Sequence, residues 1–434
     1  MKIHFIGIGG IGVSALAQYY HAKGHEVFGS DLAASEITDF LKEKGIGVAI
    51  GQYEQNIKED FDLVVYSPAV PKDNPEYKRA EELKIKMQSY PQALGELTEQ
   101  YFTIAVSGSH GKSTTTAMIS LILVKAGLDP TVIVGTRLKE FGESNFRMGK
   151  SNFLVIEACE YDDSFSNYRP KITVVTNIDK EHLDYFKTFN NVVLAFKDFI
   201  MYLPKDGFLV ANKDDTGVLK LDLENKNTRF ETKYYSLKQS EAKKIKEILK
   251  IPGIHNISNA LAALTVARIL DVKDDVAIKA LGQFHGSWRR FETKEVAYEG
   301  KEITIISDYG HHPTEIAATL QAAREKYPKN KILCVFQPHQ HQRTHYLFDD
   351  FVKLFKKVPI NDVVITDIYD VAGREEQKIN KSVNSKVLVE KINKKNITYV
   401  PMDQLEKLVK GNIKEGNIVI IMGAGDIYKL VEKF

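Results

Sequence analysis

The chain alternates between short apolar runs and longer stretches in which apolar residues recur at helical spacing. Apolar, β-branched runs at 2–6, 103–107 and 303–307 each end at a glycine or polar turn that leads into a helical pattern. Strands that alternate with helices form parallel, doubly wound sheets, which bind ligands at the carboxyl ends of their strands. The pattern therefore predicts an α/β protein of several domains whose chemistry lies in the turns after the strands.

A Gly-Lys-Ser turn carries the strongest chemical signal. The strand Thr103–Ser107 runs into Gly108–Lys112, and a helix is predicted from Ser113 onward. This order aims backbone N–H groups and a helix N-terminus at one point, which favours bound phosphate. Lys112 would reach the terminal phosphates of ATP or GTP, and the Ser113 hydroxyl would hold Mg²⁺. Val106 stands where the standard P-loop has glycine, so the loop is a shortened form, and an ordinary turn with a surface lysine is the alternative.

A second glycine-rich turn opens the chain. Gly7, Gly9 and Gly12 complete G-x-G-x-x-G between a strand and a helix, and the next strand closes on Asp31, where a carboxylate could bind a ribose hydroxyl. Taken alone, this pattern indicates NAD. Any nucleotide diphosphate can bind such a turn, and many such turns are glycine-rich only for packing, so all three interpretations stay open. A strand within 63–71 leads into a Pro-rich loop near the same site.

Two later strands deliver acidic residues to the sheet edge that the Gly-Lys-Ser turn occupies. Glu157 ends an apolar strand in EACEYDDSF, and His182 follows the next strand in NIDKEHLDYF. Carboxylates at this edge could bind the metal held by Ser113, which suggests a metal-dependent phosphoryl site. The alternatives are a strand-end cap for Glu157 and a helix-start cap for His182.

Polar residues also follow the helices and strands of the C-terminal half. Asn256 lies at a helix N-terminus, where its amide could read an adenine edge or serve as a plain N-cap. Arg289 and Arg290 follow a flexible loop and suit a phosphate clamp, although charge runs are usually solvated. We expect five further residues to gather at one sheet edge: His311, His312, His339, His341 and Arg343. Contacts with an organic ligand are one interpretation of this group, and a transition-metal site bound by its histidines is the rival.

Composition narrows the class of protein. Lysine plus arginine number 59 against 57 for aspartate plus glutamate, so no global field attracts nucleic acid or a membrane. The 434 residues, 43% hydrophobic, allow two to four domains. Cys159 and Cys334 lack metal-ligand spacing and fit a reducing compartment. With no leader-like start and no apolar run of about 18 residues, we expect a cytoplasmic protein. The Lys-rich stretch 213–250 is predicted to form solvated helices.

Nine motifs in order over essentially the whole chain closely resemble the Mur ligases of peptidoglycan synthesis. They are GIGGIG, GSHGKSTTT, EACEYDDSF, NIDKEHLDYF, GIHNISNA, RRFE, SDYGHHPTEI, FQPHQHQRT and GAGDI. The resemblance implies three domains: a Rossmann-like UDP-sugar-binding domain at 1–98, a central P-loop ATPase-type α/β domain at 99–292, and a Rossmann-like domain at 293–434 that brings the amino acid and closes the ATP site. It also favours a UDP-sugar over NAD at the first turn.

The resemblance further implies a reaction. We expect ATP-dependent addition of L-alanine to UDP-N-acetylmuramic acid through an acyl phosphate, with Mg²⁺ as cofactor. One alternative is a recycling ligase that joins UDP-N-acetylmuramate to a murein tripeptide. Another is a nucleotide-binding regulatory protein without ligase activity. We expect a monomer or weak homodimer, with neither nucleic acid nor membrane insertion.

Carried over residue by residue, the resemblance implies four overlapping sets. The ATP site would comprise Gly108, Ser109, His110, Gly111, Lys112, Ser113, Thr114, Asn256, Arg290 and Asp308. The residues that bind the UDP-sugar and amino-acid substrates would be Gly9, Gly10, Ile11, Gly12, Asp31, Ser67, His312 and Arg343. The metal would bind Ser113, Glu157 and His182. Catalysis would involve Lys112, His182, Arg290, His312 and Arg343.

Three positions depart from the family pattern or leave it open. Ser113 replaces the usual threonine and keeps the hydroxyl that a metal needs. Gln340 stands where the family often has arginine, which leaves Arg343 as the expected contact for the amino-acid carboxylate and affects selectivity among L-alanine, glycine and L-serine. Lys197 lies where several relatives carry a carbamylated lysine, but nothing in its sequence context favours that modification.

Overall fold

The computed structural model describes residues 1–223, 228–370 and 383–434, which pack into two units. The first unit comprises Met1–Asp179, Val192–Ile245 and Asn259–Gly282 and contains two sheets. The second comprises Lys180–Asn191, Lys246–Ser258 and Gln283–Phe434 and contains a third sheet. Within the described ranges, no helix combines the length and apolar character needed to cross a membrane.

The first sheet is wholly parallel, with the order β3-β2-β1-β4-β5. Its strands are β1 (Lys2–Ile6), β2 (Glu26–Asp31), β3 (Gly47–Ile50), β4 (Leu63–Tyr66) and β5 (Lys86–Ser89). Its helices are α1 (Ile11–Ala22), α2 (Glu36–Glu43), α3 (Pro75–Glu82) and α4 (Tyr90–Thr98). Chain order reverses at β1, whose neighbours are β2 and β4. Such a reversal opens a crevice at the carboxyl ends of the strands, where the first glycine-rich turn lies.

The central sheet has the order β12-β11-β10-β6-β9-β7-β8. Its strands are β6 (Phe102–Ser107), β7 (Thr131–Leu138), β8 (Ser144–Arg147), β9 (Phe153–Glu157), β10 (Ile172–Val175), β11 (Phe208–Asn212) and β12 (Glu231–Tyr235). The following helices are α5 (Lys112–Lys125), α6 (Leu183–Phe186), α7 (Phe189–Ile200), α8 (Thr216–Leu219), α9 (Glu241–Ile248), α10 (Ile254–Ile269) and α11 (Asp274–Leu281).

The helical prediction for 213–250 is wrong in part. Residues 231–235 form the edge strand β12, which pairs in parallel with β11. Tyr235, the last residue of the strand, and Phe230, which directly precedes it, are both buried, so apolar packing holds this strand at the sheet edge within a Lys-rich stretch. Residues 224–227 of that stretch lie outside the described residues.

A buried polar network joins helix α1 to the β7–β8 hairpin inside the first unit. The Asn145 amide donates to the Ser14 hydroxyl (2.9 Å) and to the Ile11 carbonyl, and it accepts from Gln18 Nε2 (2.8 Å). The Ser144 hydroxyl donates to Gln18 Oε1 (3.1 Å). Because buried amides need such partners, this network fixes the helix that follows the first glycine-rich turn against the central sheet.

The third sheet has the order β13-β14-β18-β15-β16-β17. Its strands are β13 (Glu292–Tyr298), β14 (Lys301–Asp308), β15 (Ile332–Phe336), β16 (Asp362–Ile365), β17 (Ile397–Tyr399) and β18 (Ile418–Met422). The remaining helices are α12 (Pro313–Lys326), α13 (His341–Tyr346), α14 (Phe348–Lys357), α15 (Ser385–Ile392) and α16 (Leu405–Asn412). Separate apolar clusters cover its two faces. Both faces of its central strands are therefore buried, as in other doubly wound sheets.

The three-domain α/β prediction is confirmed, with two antiparallel edges that the sequence pattern does not reveal. Strand β8 pairs antiparallel with β7, and β13 pairs antiparallel with β14. Both pairs are hairpins at the edge of a sheet, where no crossover helix is required.

Candidate active site

The first glycine-rich turn closes on the end of strand β2. The N–H groups of Gly7 and Ile8 both donate to the Ser30 carbonyl (2.9 Å each). The Gly9 N–H donates to Asp31 Oδ2 (2.8 Å), and a Cβ on Gly9 would lie 2.8 Å from the same oxygen. Glycine is needed at this point because the Asp31 carboxylate occupies the space of a side chain. Asp31, predicted to contact the UDP moiety, thus also holds the turn.

The rest of the predicted substrate set lies along the same edge. Helix α1 begins at Ile11, and its N-cap Gly10 has no side chain to satisfy the first N–H groups, which leaves them available to an anion. Ser67 directly follows β4, and its backbone N–H donates to the Ile6 carbonyl (3.0 Å). This arrangement suits a diphosphate at the helix start.

The Gly-Lys-Ser turn is held by the end of strand β10 rather than left wholly open. The Ser109 N–H donates to the Asn177 carbonyl (3.0 Å), and the His110 N–H donates to Asn177 Oδ1 (2.9 Å). The Thr176 hydroxyl donates to the His110 carbonyl (2.7 Å). Two N–H groups that we expected to bind phosphate, those of Ser109 and His110, therefore donate to Asn177 instead. The N–H groups at the start of α5, which begins at Lys112, have no intrahelical acceptor.

Both glycines of this turn are required by their surroundings. Gly108 has φ +134°, and a Cβ there would lie 2.0 Å from the Thr176 hydroxyl oxygen. Gly111 has φ +82°, and a Cβ there would lie 2.6 Å from Asn259 Oδ1. Any side chain would strain or displace the loop. The shortened G-x-x-G-K-S form is thus matched to its packing.

Lys112 lies inside the loop, with its ammonium group paired to a buried carboxylate. Its Nζ donates to Glu160 Oε2 (3.0 Å) and to the Gly108 carbonyl (2.5 Å). Burial alone would lower the pKa of Lys112, but the negative charge of Glu160 raises it above its usual value. Glu160 is fully buried and serves as the counter-ion of this lysine. Lys112 is therefore a fixed positive charge at the helix N-terminus.

Ser113 and Glu157 are oxygen donors on neighbouring elements. Ser113 lies in the first turn of α5, and Glu157 ends β9, where it pairs in register with Val106 of β6. The Gly135 N–H donates to Glu157 Oε1. A hydroxyl and a carboxylate are hard ligands of the kind that Mg²⁺ prefers, so this donor set fits the implied metal. Thr114, also in the predicted ATP set, is buried in the same helical turn.

His182, the third predicted metal ligand, belongs to the second unit, whereas Ser113 and Glu157 belong to the first. It precedes helix α6 as its N-cap and has φ +54°, an uncommon backbone conformation for a residue with a side chain. Its role as a metal ligand stays a prediction.

Inside the second unit, Arg343 is paired with Glu181, a residue that sequence reasoning missed. The guanidinium Nε and Nη2 donate to Glu181 Oε1 (3.0 and 2.8 Å), and His312 Nε2 lies 3.9 Å from Glu181 Oε2. Burial would raise the pKa of Glu181, but the charges of Arg343 and His312 hold it well below its usual value. An acid next to His182 was the only available signal, because its partner is distant in sequence.

The predicted gathering of histidines is seen in part. The rings of His311 and His339 lie 5.9 Å apart, and the Arg343 Nη1 lies 3.1 Å from His339 Nδ1. Burial lowers the pKa of His311 to about 4, so the ring is neutral at pH 7. His341 instead contacts the Val383 carbonyl through Nδ1 (3.0 Å).

Arg290 and Asp308 lie next to each other in the second unit. Asp308 Oδ2 accepts the Phe291 N–H (2.8 Å), which fixes the backbone just after Arg290. The Arg290 guanidinium lies 4.8 Å from the Tyr309 ring centre and 3.8 Å from Glu315 Oε1. The adjacent Arg289, which we interpreted with Arg290 as part of a phosphate clamp, has a packing role instead. Its guanidinium is buried among aromatic rings and donates to the Gly423 and Gly425 carbonyls.

Asn256 is not the N-cap that was one alternative for it. Helix α10 begins at Ile254, so Asn256 lies in the first turn, where its amide donates to the Pro252 carbonyl (2.7 Å). Its predicted contact with adenine stays a prediction.

A glycine-rich turn on one sheet and a Gly-Lys-Ser turn beside acidic residues on the next are typical of enzymes that act on nucleotides and transfer phosphoryl groups. Three family models match the chain: the Mur ligase catalytic domain at residues 2–102, the Mur ligase middle domain at 106–267 and the Mur ligase glutamate ligase domain at 289–425. The chain belongs to the Mur ligase family.

Full-length relatives agree with this assignment. A UDP-N-acetylmuramate–L-alanine ligase of Clostridium botulinum (strain Loch Maree / Type A3) is 40% identical, covering 100% of this chain and 97% of its own length. The crystal structure of the UDP-N-acetylmuramate-alanine ligase MurC from Thermotoga maritima is 28% identical with a TM-score of 0.81, covering 100% and 98% of the two chains. A murein peptide ligase from Psychrobacter arcticus 273-4, 22% identical, shares the fold with a TM-score of 0.74 and the same coverage.

Proposed function

We propose that this protein is an ATP-dependent ligase that joins L-alanine to UDP-N-acetylmuramic acid in peptidoglycan precursor synthesis. The observation that carries the proposal is the full-length match to relatives named for that reaction. The two glycine-rich turns support it, because one unit contains both a turn suited to a diphosphate and a turn suited to ATP. We retain the predicted domain boundaries 1–98, 99–292 and 293–434 as part of this proposal.

The proposed reaction has two steps. A carboxylate oxygen of the muramyl lactyl group attacks the γ-phosphorus of ATP, the bond to the bridging oxygen breaks, and ADP leaves. The neutral amine of L-alanine then attacks the acyl carbon, and the tetrahedral intermediate expels inorganic phosphate and loses a proton to give the amide. Lys112, already held at the start of α5, would stabilise the negative charge that gathers on the transferred group.

Ser113 and Glu157 would hold Mg²⁺, with His182 as the further ligand that the family resemblance implies. The bound ion supplies positive charge that offsets the charge on the phosphates. The Gly135 N–H keeps the Glu157 carboxylate oriented at the end of β9.

The residues proposed for the amino acid belong to the second unit. His312 is buried there, and its Nε2 lies 3.3 Å from the Lys180 carbonyl. Arg343 is proposed to bind the L-alanine carboxylate, for which it would have to share or exchange its contact with Glu181. Gln340 lies directly before α13 with its side-chain oxygen 3.3 Å from Arg343 Nη1, so it supports the same guanidinium.

A coupled assay of ADP release tests this proposal. The purified protein is incubated with ATP, Mg²⁺ and UDP-N-acetylmuramic acid, with L-alanine, glycine, L-serine or the murein tripeptide as the acceptor, and products are identified by mass spectrometry. We expect the highest kcat/KM with L-alanine and one new amide. Preference for the tripeptide would assign the recycling reaction instead, and ATP turnover without amide would indicate a regulatory protein.

A further inference from the structure

Tyr90 is a phenol at the junction of the first and central sheets that neither the motifs nor the reaction accounts for. It is the first residue of α4, directly after β5. The Ser89 hydroxyl accepts the Gln92 N–H (3.4 Å), and Gln92 Oε1 accepts the Ser89 N–H (2.8 Å), which forms a capping box around it. Pro91 follows. The backbone that carries the Tyr90 ring is therefore fixed locally.

Helix α4 is also fixed to the segment that follows Glu157 in the chain. A Cβ on Gly95 would lie 2.6 Å from the Asn167 carbonyl oxygen, so glycine permits the close approach of this helix to the segment 161–167. The Arg169 N–H donates to the Thr98 hydroxyl at the helix end (2.9 Å). Tyr90 is thereby held between the first sheet and the acidic end of β9.

The Tyr90 hydroxyl lies against the first glycine-rich turn. A Cβ on Gly12 would lie 2.7 Å from the Tyr90 hydroxyl oxygen and 2.8 Å from Cζ. The third glycine of G-x-G-x-x-G therefore makes room for this phenol rather than for close packing of helix on strand, the role usually given to that position. Tyr90 is half-buried, and among the residues that the structure describes none hydrogen-bonds its hydroxyl.

The electrostatic surroundings favour an O–H donor at this position. Burial and the negative charge of Glu157 raise the pKa of Tyr90 above its usual value, so the phenol keeps its proton. A fixed O–H donor on the path between the two turns can hydrogen-bond a carboxylate that passes there.

We propose that the Tyr90 hydroxyl is a substrate-binding group that donates a hydrogen bond to the carboxylate of the UDP-linked acidic sugar. This inference rests on the proposed function, because only a substrate that runs from the first turn to the phosphate loop passes this hydroxyl. The group recognised is the sugar-borne carboxylate, not the uridine or the diphosphate.

Isothermal titration of Tyr90→Phe without ATP tests the inference with three ligands: UDP, UDP-N-acetylglucosamine, which lacks the lactyl carboxylate, and UDP-N-acetylmuramic acid. We expect binding of UDP-N-acetylmuramic acid to weaken about tenfold, as for loss of a hydrogen bond to a charged group, and the other two ligands to bind as to the wild type. In ligation, KM for the acidic sugar should rise while KM for ATP is unchanged.

Tyr101→Phe is the matched control, since it removes another phenol of the same unit whose hydroxyl lies 3.1 Å from that of Tyr19. It should bind all three ligands like the wild type, and both variants should keep the wild-type melting temperature. Equal weakening of all three ligands by Tyr90→Phe, or no weakening at all, would overturn the inference while wild-type ligation leaves the proposed function intact. A wild type that neither prefers the carboxylate-bearing sugar nor forms the amide would overturn both.

Discussion

The two glycine-rich turns of the first unit have the same local design and opposite internal charges. Each follows a central parallel strand, leads into a helix and is held by the end of the neighbouring strand, through Ser30 in one case and Asn177 in the other. The first turn packs on the carboxylate of Asp31, whereas the second encloses the ammonium of Lys112.

This difference shows how similar turns are given different tasks. A turn closed by a carboxylate offers the start of its helix to a diphosphate and can bind a sugar hydroxyl through Asp31, but it adds no positive charge to a reacting phosphate. A turn that contains a lysine paired with buried Glu160 has a preorganised positive charge where phosphoryl transfer needs one. The first turn is thus suited to binding and the second to chemistry.

Removing the charge of the second turn should have the largest effect. Lys112→Ala should lower kcat for ligation at least about 100-fold, because it removes the charge that stabilises the transferred phosphoryl group, while UDP-N-acetylmuramic acid still binds. Lys125→Ala, an exposed lysine at the other end of α5, should leave kcat unchanged. Steady-state kinetics and titration calorimetry measure both.

Lys112→Ala also leaves Glu160 buried without its counter-ion, which destabilises the fold by about 3–5 kcal/mol. The double variant Lys112→Ala with Glu160→Gln should recover much of the lost melting temperature and none of the activity. Recovered activity in the double variant would mean that the lysine serves only to balance Glu160.

Substituting one glycine in each turn should separate the two ligands. Gly108→Ala forces a Cβ against Thr176 at positive φ, and Gly9→Ala forces one against Asp31. Strain of about 1–3 kcal/mol corresponds to roughly a 5- to 150-fold loss of affinity. Titrations should show loss of ATP binding only for Gly108→Ala and loss of UDP-sugar binding only for Gly9→Ala.

Gly411→Ala is the control for this pair, because a Cβ there would meet open space. The comparison fails if either turn variant weakens both ligands equally, since the two turns would then form one binding site rather than two.

The next largest effect, a loss in the free energy of unfolding, should come from breaking the polar network behind the first turn. Asn145→Ala leaves the Ser14 and Gln18 groups without their buried partner, and we expect a loss of about 2 kcal/mol in the free energy of unfolding. Urea denaturation measures it against Asn152→Ala, which alters an exposed asparagine of the same unit. An unchanged midpoint would show that water replaces the network at no cost.

The smallest effect is expected from Asp31→Asn. The amide oxygen can still accept the Gly9 N–H, so the turn should persist, while the loss of charge should weaken UDP-sugar binding about fivefold, as for one hydrogen bond of about 1 kcal/mol. ATP binding is the internal control. A large loss of melting temperature would mean that Asp31 acts mainly as a structural group.

Much of the fold was predictable because its signals are local. The strands at 2–6 and 103–107 are short apolar runs. Glycine-rich turns and the helical spacing of apolar residues predict the helices that follow them. The edge strands β8 and β13 were not predicted. The sequence pattern indicates strands joined by crossover helices, whereas a hairpin at a sheet edge needs no such helix. Strand β12 was not predicted because it lies in a Lys-rich stretch, where only Phe230 and Tyr235 at its two ends are buried.

The sequence by itself determined which residues could do chemistry: the glycines that permit the two turns, Lys112 and Ser113 at a helix start, and the acids after the strands. Only the tertiary structure decided their partners. Lys112 pairs with Glu160, Arg343 pairs with Glu181, and the Tyr90 phenol occupies the space that a side chain at Gly12 would need. Turn and helix chemistry depends on residues a few positions apart, so it can be read along the chain. Pairing between buried groups depends on strand order and on which side chains remain unsatisfied once the sheets pack, and no spacing along the chain encodes that.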